Sequence, residues 1–210
     1  PESLRFGSVG KNLRNVEIKI ANDGEILAKG PNIMQGYFKD IKETNEAIDS
    51  EGWFHTGDIG EFDDDGFLKI TDRKKSLIVT SAGKNIAPAP LENTLLTSKY
   101  IDQVVVIGDK RNFISALIVP SFSIINDLRL NQDKDTLSNE AMIDHPDIIS
   151  IIENEITCKM NKYSKFETIK KFKLISRSFS IEKGEMTPKM SIVRKKVEKN
   201  YLDLINNIYN

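Results

Sequence analysis

The charged segment Asp72-Arg73-Lys74-Lys75 divides the sequence into two parts with different hydrophobic patterning. Before it, apolar and polar residues alternate around turn residues, a period of two that is typical of half-buried strands. After it come continuous apolar runs and segments with apolar residues at steps of three and four, which are typical of buried strands and amphipathic helices. We therefore predict two domains, residues 1–72 and 73–210, joined at an exposed, charged boundary.

The first domain is predicted to be mostly β-structure. Alternating stretches at 16–20 and 25–29 flank Asn22-Asp23-Gly24, and Asp63-Asp64-Asp65-Gly66 precedes a strand at 67–71. Asp-Gly between alternating apolar runs is a strong short-range signal for a β-hairpin. Residues 42–50 indicate a short helix. The domain is therefore expected to be a small sheet or part of a barrel.

The second domain is predicted to be α+β. Its predicted elements, in chain order, are a strand at 77–80, a helix from Pro88 or Pro90 to about Ser98, strands at 103–108 and 114–119, and amphipathic helices at 149–163 and 193–208. Residues 121–147 are polar and weakly periodic. We interpret them as an insertion with at most two helices, outside the core.

Composition excludes several classes of protein. The 210 residues contain 30 Lys and Arg against 31 Asp and Glu, so net charge gives no reason to expect a nucleic-acid partner. A single cysteine, Cys158, cannot form an internal disulfide and suits a reducing cytoplasm. No apolar run approaches the roughly 18 residues that span a bilayer. The first residue is Pro1 rather than Met, which we interpret as the start of a fragment, although a processed terminus would look the same.

Candidate chemistry is concentrated between residues 55 and 85. Thr56-Gly57-Asp58 at a strand start can present a carboxylate beside backbone that a ligand can approach closely. A carboxylate that accepts hydrogen bonds from vicinal hydroxyls is a common way to hold a ribose, and the fixed donors of Arg73 could bind the same sugar or a phosphate. Each piece alone is more often a turn or a solvated loop, so the ordered combination carries the hypothesis.

That combination resembles the adenylate-forming superfamily, which includes acyl-CoA synthetases, luciferase and peptide-synthetase adenylation domains. Four blocks carry the resemblance, in this order: Gly24–Gly30 leading to Gly36-Tyr37-Phe38, Trp53–Asp58, Gly66–Lys75, and Gly83–Glu92. Asn85-Ile86-Ala87-Pro88, Met186-Thr187-Pro188 and the long stretch 121–147 are most similar to the long-chain fatty acyl-CoA synthetases.

The resemblance implies both a fold and an activity. Residues 1–72 would be the β-rich end of a large N-terminal AMP-binding domain, a piece of a distorted barrel. Residues 73–210 would be a small, mobile α+β domain. The activity would be that of an acid–thiol ligase: a fatty acid and ATP give acyl-AMP, and the thiol of CoA then displaces AMP. Mg²⁺ would arrive with ATP, on ligands mostly outside this chain, and no His or Cys pair here has metal-ligand spacing.

The resemblance also assigns roles to residues. Asp58 and Arg73 would hold the ribose of ATP, and Asp72 would lie at the hinge of the domain rotation. The loop Ala82-Gly83-Lys84 would line the channel for the pantetheine of CoA. Lys75 would contact a phosphate or stabilise one domain orientation, or would simply be a surface lysine.

The catalytic lysine of the family has no direct counterpart. Alignment of the arginine that follows it, here Arg194, places Ser191 in its position, and Lys189 lies two residues earlier. Either Lys189 substitutes through a shifted loop, in an electrostatic role at the α-phosphate, or adenylation is weakened or depends on another group. A solvated loop lysine is the competing interpretation.

Two alternative functions remain open: an acyl-AMP ligase that loads a carrier protein, and a non-catalytic module with a degenerate lysine position. The phosphate loop and acyl pocket of the family lie upstream, so the chain is expected to be inactive by itself and to need an N-terminal domain in cis. A cytoplasmic location is expected, and peripheral contact with a membrane stays open. Among the remaining residues, His55 is expected to pack against its loop or hydrogen-bond to it, and His145 has no partner that the sequence suggests. Cys158 is expected in the core.

Overall fold

The computed structural model describes residues 4–132 and 134–210. The chain forms two compact units that divide between Leu77 and Ile78. Asp72, the predicted boundary, lies within the last strand of the N-terminal unit, and the exact domain limits stay a prediction. No helix among the described residues is long and apolar enough to cross a membrane.

The N-terminal unit is built on a four-stranded antiparallel sheet in the order β1-β2-β3-β4. The strands are β1 (Glu17–Ile20), β2 (Glu25–Lys29), β3 (Phe54–Phe62) and β4 (Leu68–Arg73). Helix α1 (Ile41–Ala47) lies between β2 and β3, and a short 3-10 helix (Lys74–Ser76) follows β4. Asp40 caps α1, because its side chain accepts the N–H of Glu43.

Aspartate side chains organise both hairpin turns of this sheet. In the first turn, Asp23 accepts the N–H of Glu25 at 3.2 Å, and Gly24 has a φ of 86°. In the second turn, Asp63 accepts the N–H of Phe67 at 2.9 Å. A glycine takes the positive φ that other residues adopt only with strain. Both hairpins predicted from the sequence are thereby confirmed.

The C-terminal unit combines two small sheets with helices. Strands β5 (Ile78–Val79) and β6 (Asn85–Ile86) form an antiparallel pair, and β7 (Ile101–Ile107), β8 (Ser115–Pro120) and β9 (Lys171–Leu174) form a sheet in that order, antiparallel and then parallel. The helices are α2 (Pro88–Leu95), α3 (Phe122–Leu130), α4 (Asn139–Ile143), α5 (Pro146–Met160), α6 (Arg194–Asn200) and α7 (Leu202–Tyr209). The predicted α+β class is confirmed.

Two hydrophobic clusters pack on opposite faces of the three-stranded sheet. Val104 and Val106 belong to the cluster that contains residues of α2 and α5. Val105 and Ile107 alternate with them and belong to the cluster that contains residues of α6 and α7. Since both faces are covered, residues 104–107 of β7 form a continuous apolar run rather than an alternating pattern.

The segment 121–147 contributes to this core, which corrects the expectation that it lies outside. Ile125 of α3 and Met142 of α4 are fully buried in the same cluster as α2 and α5. Each of these short helices offers few apolar residues to the core, so the segment lacks a periodic pattern. Whether it is an insertion relative to the family stays a prediction.

Helix α5 corrects a second expectation, since Cys158 is exposed rather than part of the core. The buried residues of α5 are Ile148, Ile152, Ile156 and Met160, which recur every fourth position. Cys158 lies two positions from the nearest of them, and two helical steps rotate a side chain by about 200°. Its position therefore places it on the opposite face.

The final amphipathic pattern forms two helices rather than one. Tyr201, with φ of −115° and ψ of 24°, ends α6 and caps α7. Val197 and Ile208 are still buried in one cluster on either side of this break. The apolar spacing continues across the junction, and for that reason the sequence predicted a continuous helix.

Candidate functional site

Asp58 and Arg73 lie directly opposite each other on the paired strands β3 and β4. The Nε of Arg73 is 2.8 Å from Oδ1 of Asp58. The side chain of Asp58 is 23% exposed and that of Arg73 is 67% exposed, so the pair opens to solvent. The sequence predicted that these two residues hold one ligand, and the sheet register brings them together, although the ligand itself stays a prediction.

A bulge follows Asp58 in this ladder, where the register shifts between Ile59 and Gly60. A Cβ at Gly60 would lie 2.4 Å from the carbonyl oxygen of Lys69, so this close approach requires glycine. Bulges increase local twist and redirect neighbouring side chains. The bulge therefore helps to set the direction of Asp58.

Asp72 and Lys75 adjoin this pair. Asp72 is paired with Ile59 within the sheet, and its Oδ1 accepts the N–H of Arg73 at 2.6 Å. Lys75 lies in the short 3-10 helix and is exposed. An open cleft of about 590 Å³ is lined by residues of both strands and this helix, among them His55, Thr56, Gly57, Arg73, Lys74 and Lys75.

Glu25 is the residue of this region that sequence analysis missed. It is 3% exposed, and it accepts hydrogen bonds from Nζ of Lys74 at 2.8 Å, Nδ1 of His55 at 2.9 Å and the N–H of Gly57 at 3.0 Å. Burial alone would raise the pKa of Glu25, but the bonds from Lys74, His55 and Gly57 outweigh it and lower the pKa. The signal that could have identified Glu25 was a charged residue at the start of a strand that is buried there.

Lys74 and His55 complete this network. Nζ of Lys74 also lies 2.6 Å from Asp23, and its hydrogen bonds to Asp23 and Glu25 raise the pKa of the lysine. Nε2 of His55 lies 3.8 Å from Asp49. His55 was expected to pack against its loop or hydrogen-bond to it, but its hydrogen-bond partner is the buried carboxylate of Glu25 on the neighbouring strand β2.

The loop Ala82-Gly83-Lys84 belongs to the C-terminal unit and joins β5 to β6. The N–H of Gly83 donates to the carbonyl of Thr80 at 2.9 Å, and Gly83 has a φ of 73°. A Cβ at Gly83 would have no neighbour within 4 Å. Nζ of Lys84 lies 5.5 Å from the ring centre of Phe166. The loop is exposed, with open space beside its glycine.

Lys189 and Ser191 share one exposed turn of the C-terminal unit. The N–H of Met190 donates to the carbonyl of Thr187 at 2.8 Å, and the N–H of Thr187 donates to the carbonyl of Ser191 at 2.8 Å. Met190 has a φ of 62°, an uncommon conformation for a residue with a side chain. Lys189 thus lies at the tip of a tight turn, whereas Ser191 lies at its base, where its carbonyl accepts the N–H of Thr187.

Two ion pairs fix the chain on either side of this turn. Glu185 is fully buried and receives both terminal nitrogens of Arg177 at 2.7 Å. Arg194 donates to both oxygens of Glu92 at 2.7 and 3.1 Å, and also to the carbonyl of Val106. Bidentate pairs of this kind are strong and directional. The sequence alone suggests neither pair.

His145 has a structural role at the start of α5. Nδ1 of His145 accepts the N–H of Asp147 at 3.2 Å and so caps α5, which supplies the partner that the sequence did not suggest. No group of three or more His, Cys, Asp or Glu in residues 4–132 and 134–210 is arranged to hold a metal ion.

The model of the AMP-binding enzyme C-terminal domain matches residues 75–210. The chain belongs to the AMP-binding enzyme family. It is 38% identical over 208 residues to the long-chain-fatty-acid–CoA ligase FadD15 of Mycobacterium tuberculosis, covering 99% of this chain and 34% of the relative. It is 34% identical to the human long-chain-fatty-acid–CoA ligase ACSBG1, covering 100% of this chain and 32% of that one. The chain thus spans only about a third of the length of these curated relatives.

Solved structures of other AMP-binding enzymes share the fold. The O-succinylbenzoate coenzyme A synthetase MenE of Bacillus subtilis, in complex with AMP, matches with a TM-score of 0.61 and 27% identity, over 92% of this chain and 36% of that one. The A domain of a Segniliparus rugosus carboxylic acid reductase in complex with AMP matches with a TM-score of 0.66 and 24% identity, over 89% and 28%. The second likeness is evidence for the fold alone.

Proposed function

We propose that this chain is the C-terminal portion of a long-chain fatty acid–CoA ligase. The whole enzyme would convert a fatty acid and ATP to acyl-AMP and pyrophosphate, and then transfer the acyl group to the thiol of CoA. The similarity to FadD15 and ACSBG1 along nearly the whole chain supports the substrate class. The observation that carries the chemistry is the exposed Asp58–Arg73 pair beside a cleft of about 590 Å³.

Asp58 and Arg73 are proposed to bind the ribose of ATP. Oδ1 of Asp58 is engaged by Arg73, which orients the carboxylate. A carboxylate held in this way can accept hydrogen bonds from the vicinal hydroxyls of the sugar. The guanidinium of Arg73 remains largely exposed and can donate to the same sugar or to a phosphate. Lys75, in the same cleft, is proposed to contact a phosphate.

The other residues are proposed to act in the transfer of the acyl group to CoA, and in the domain rotation between acyl-AMP formation and this transfer. Asp72 begins the hinge segment, which runs from the end of β4 to the division after Leu77. The loop Ala82-Gly83-Lys84 would line the path of the CoA thiol, and the open space at Gly83 suits close passage of a ligand. Mg²⁺ would enter with ATP. The protein is proposed to act in the cytoplasm, in peripheral contact with membranes that supply its substrate.

The proposal is tested by assaying the full-length enzyme for CoA consumption that depends on both oleate and ATP. Asp58→Asn should reduce kcat/KM for ATP by about tenfold or more, because one charge-assisted contact to the ribose is lost. Asp64→Asn, in an exposed turn of the same sheet, is the matched control. The 210-residue chain alone should show no turnover.

Two results would contradict this function. Turnover by the isolated chain would mean that the active site is complete without upstream residues. Acyl-AMP formation with transfer to a carrier protein, but none to free CoA, would support the carrier-loading alternative.

Lys189 is proposed to stabilise the charge of the α-phosphate during adenylation, an electrostatic role. Its position at the tip of an exposed turn would let it reach a substrate after domain rotation. In the full-length enzyme, Lys189→Met should lower the rate of acyl-AMP formation by at least about tenfold, whereas Ser191→Lys should give no gain. A large gain with Ser191→Lys would instead identify a degenerate lysine position and a module that has lost its catalytic role.

A further inference from the structure

Glu25 is an unusual residue for the first position of a sheet strand, because its charged side chain is only 4% exposed. An ionised carboxylate is costly to bury unless it is paired and hydrogen-bonded. Here the compensation comes from Lys74, His55 and the backbone N–H of Gly57. These donors hold the carboxylate in its charged form despite burial.

The donors come from the segments that carry Asp58 and Arg73. Gly57 immediately precedes Asp58 on β3, and its N–H donates to Oε1 of Glu25 at 3.0 Å. Lys74 immediately follows Arg73, and its Nζ donates to Oε2 at 2.8 Å. One buried carboxylate therefore contacts the backbone of Gly57 and the side chain of Lys74, the two residues next to the ion pair along the chain. The ion pair itself remains partly open to solvent.

The β3–β4 ladder pairs Asp58 with Arg73 but ends at this pair, so it does not include Gly57 or Lys74. Its register shifts just after Asp58, between Ile59 and Gly60. Lys74 lies beyond the last residue of β4, in the 3-10 helix. The contact from Glu25 on β2 thus acts where the pairing of β3 with β4 is irregular or has ended.

We propose that Glu25 is a positioning residue of the nucleotide site, which fixes Asp58 and Arg73 relative to each other through Gly57 and Lys74. This inference rests on the proposed function. Lys74 is the partner of Glu25 in this role. Asp23, in the neighbouring turn, lies 2.6 Å from Nζ of Lys74 and stabilises the position of the lysine. Neither Glu25 nor Lys74 need touch the nucleotide for this role.

The first test is a double-mutant cycle in the full-length enzyme with Glu25→Gln and Asp58→Asn. Glu25→Gln should raise KM for ATP about tenfold, because Asp58 and Arg73 lose a common charged anchor, and should leave KM for CoA within about twofold. In the Asp58→Asn background, Glu25→Gln should have little further effect, because residues that act as a unit are non-additive. Glu61→Gln, an exposed position on β3, is the isosteric control.

The second test needs no catalysis and uses the 210-residue chain. The Nε–H of Arg73 should give an NMR signal characteristic of a hydrogen-bonded guanidinium, and Glu25→Gln should broaden or shift it towards the free value. The control Glu61→Gln should leave it unchanged, and backbone amide spectra verify that each variant is folded.

Failure of this inference and failure of the proposed function give different results. An Arg73 signal that Glu25→Gln leaves unchanged, or additive effects of Glu25→Gln and Asp58→Asn on KM for ATP, would overturn the positioning role. Absence of any ATP-dependent turnover in the full-length protein would overturn the proposed function. In that case the Arg73 signal still decides whether Glu25 orders the pair.

Discussion

Two buried carboxylates stabilise the segments next to the proposed site residues. Glu25 organises the strands that carry Asp58 and Arg73, and Glu185 anchors the chain before the turn of Lys189. In both cases a cationic side chain and a backbone N–H donate to the same carboxylate. A fully satisfied buried charge gives directional rigidity that apolar packing lacks.

The lowered pKa of Glu185 predicts that this residue stabilises the folded protein in a pH-dependent way. Hydrogen bonds from Arg177 outweigh burial and, together with Asn200 and the N–H of Ser180, lower the pKa from 4.5 to about 2. The folded state therefore gains stability from the ionised group above about pH 4.5, and this gain is lost as pH falls through the folded value. Glu185→Gln should cost roughly 2–3 kcal/mol at pH 7 and progressively less towards pH 2.

Urea unfolding of both proteins at several pH values measures this difference. Glu182→Gln, at an exposed position in the same segment, should leave stability within about 0.5 kcal/mol. A cost of Glu185→Gln that stays constant between pH 7 and pH 3 would show that lost packing, and not charge, is responsible.

Sequence motifs identified the residues that are proposed to meet the ligand, but not those that support them. Asp58 and Arg73 lie in recognisable blocks, and the hairpin register explains why they meet. Glu25 lies 49 positions from Lys74, and Glu92 lies 102 from Arg194. Nothing in local spacing connects such partners, because they are brought together only by the tertiary fold.

Among the elements, the strands buried on both faces anchor the C-terminal unit. Every residue of β8 is buried, and helices cover both sides of the sheet. Such strands are easy to recognise as apolar runs. Helices α3 and α4 are harder, because each contributes few residues to the core. The break at Tyr201 is invisible to periodicity, since the apolar spacing continues through it.

The burial of α3 gives a prediction with a neighbouring control. Ile125 is fully buried, whereas Ile124 is 36% exposed. Ile125→Ala should therefore destabilise the protein by roughly 2–4 kcal/mol, from lost burial and a remaining cavity, while Ile124→Ala should cost less than about 1 kcal/mol. Urea denaturation followed by circular dichroism measures both. Equal, small effects would place the segment outside the core after all.

At the scale of the whole molecule, the two units differ in how much apolar surface they bury. Both hydrophobic clusters consist entirely of residues from Ile78 onwards. Both units leave some large apolar side chains exposed, but those of the N-terminal unit include four that are more exposed than any described in the C-terminal unit: Phe6, Leu13, Phe38 and Ile41. Exposed apolar surface of this kind favours association with other protein surfaces. The C-terminal unit should therefore be self-sufficient, whereas the N-terminal unit should not.

This difference is tested by producing residues 78–210 and residues 1–77 separately. Residues 78–210 should unfold cooperatively in urea, with a midpoint close to that of the same unit in the full chain, because no residue of either cluster is removed. Residues 1–77 should self-associate in size-exclusion chromatography. Replacing the exposed Phe38 and Ile41 by serine should reduce that association, whereas replacing buried Ile26 and Leu27 should unfold the sheet instead. A monomeric, cooperatively folded 1–77 would show that its exposed apolar residues need no covering surface.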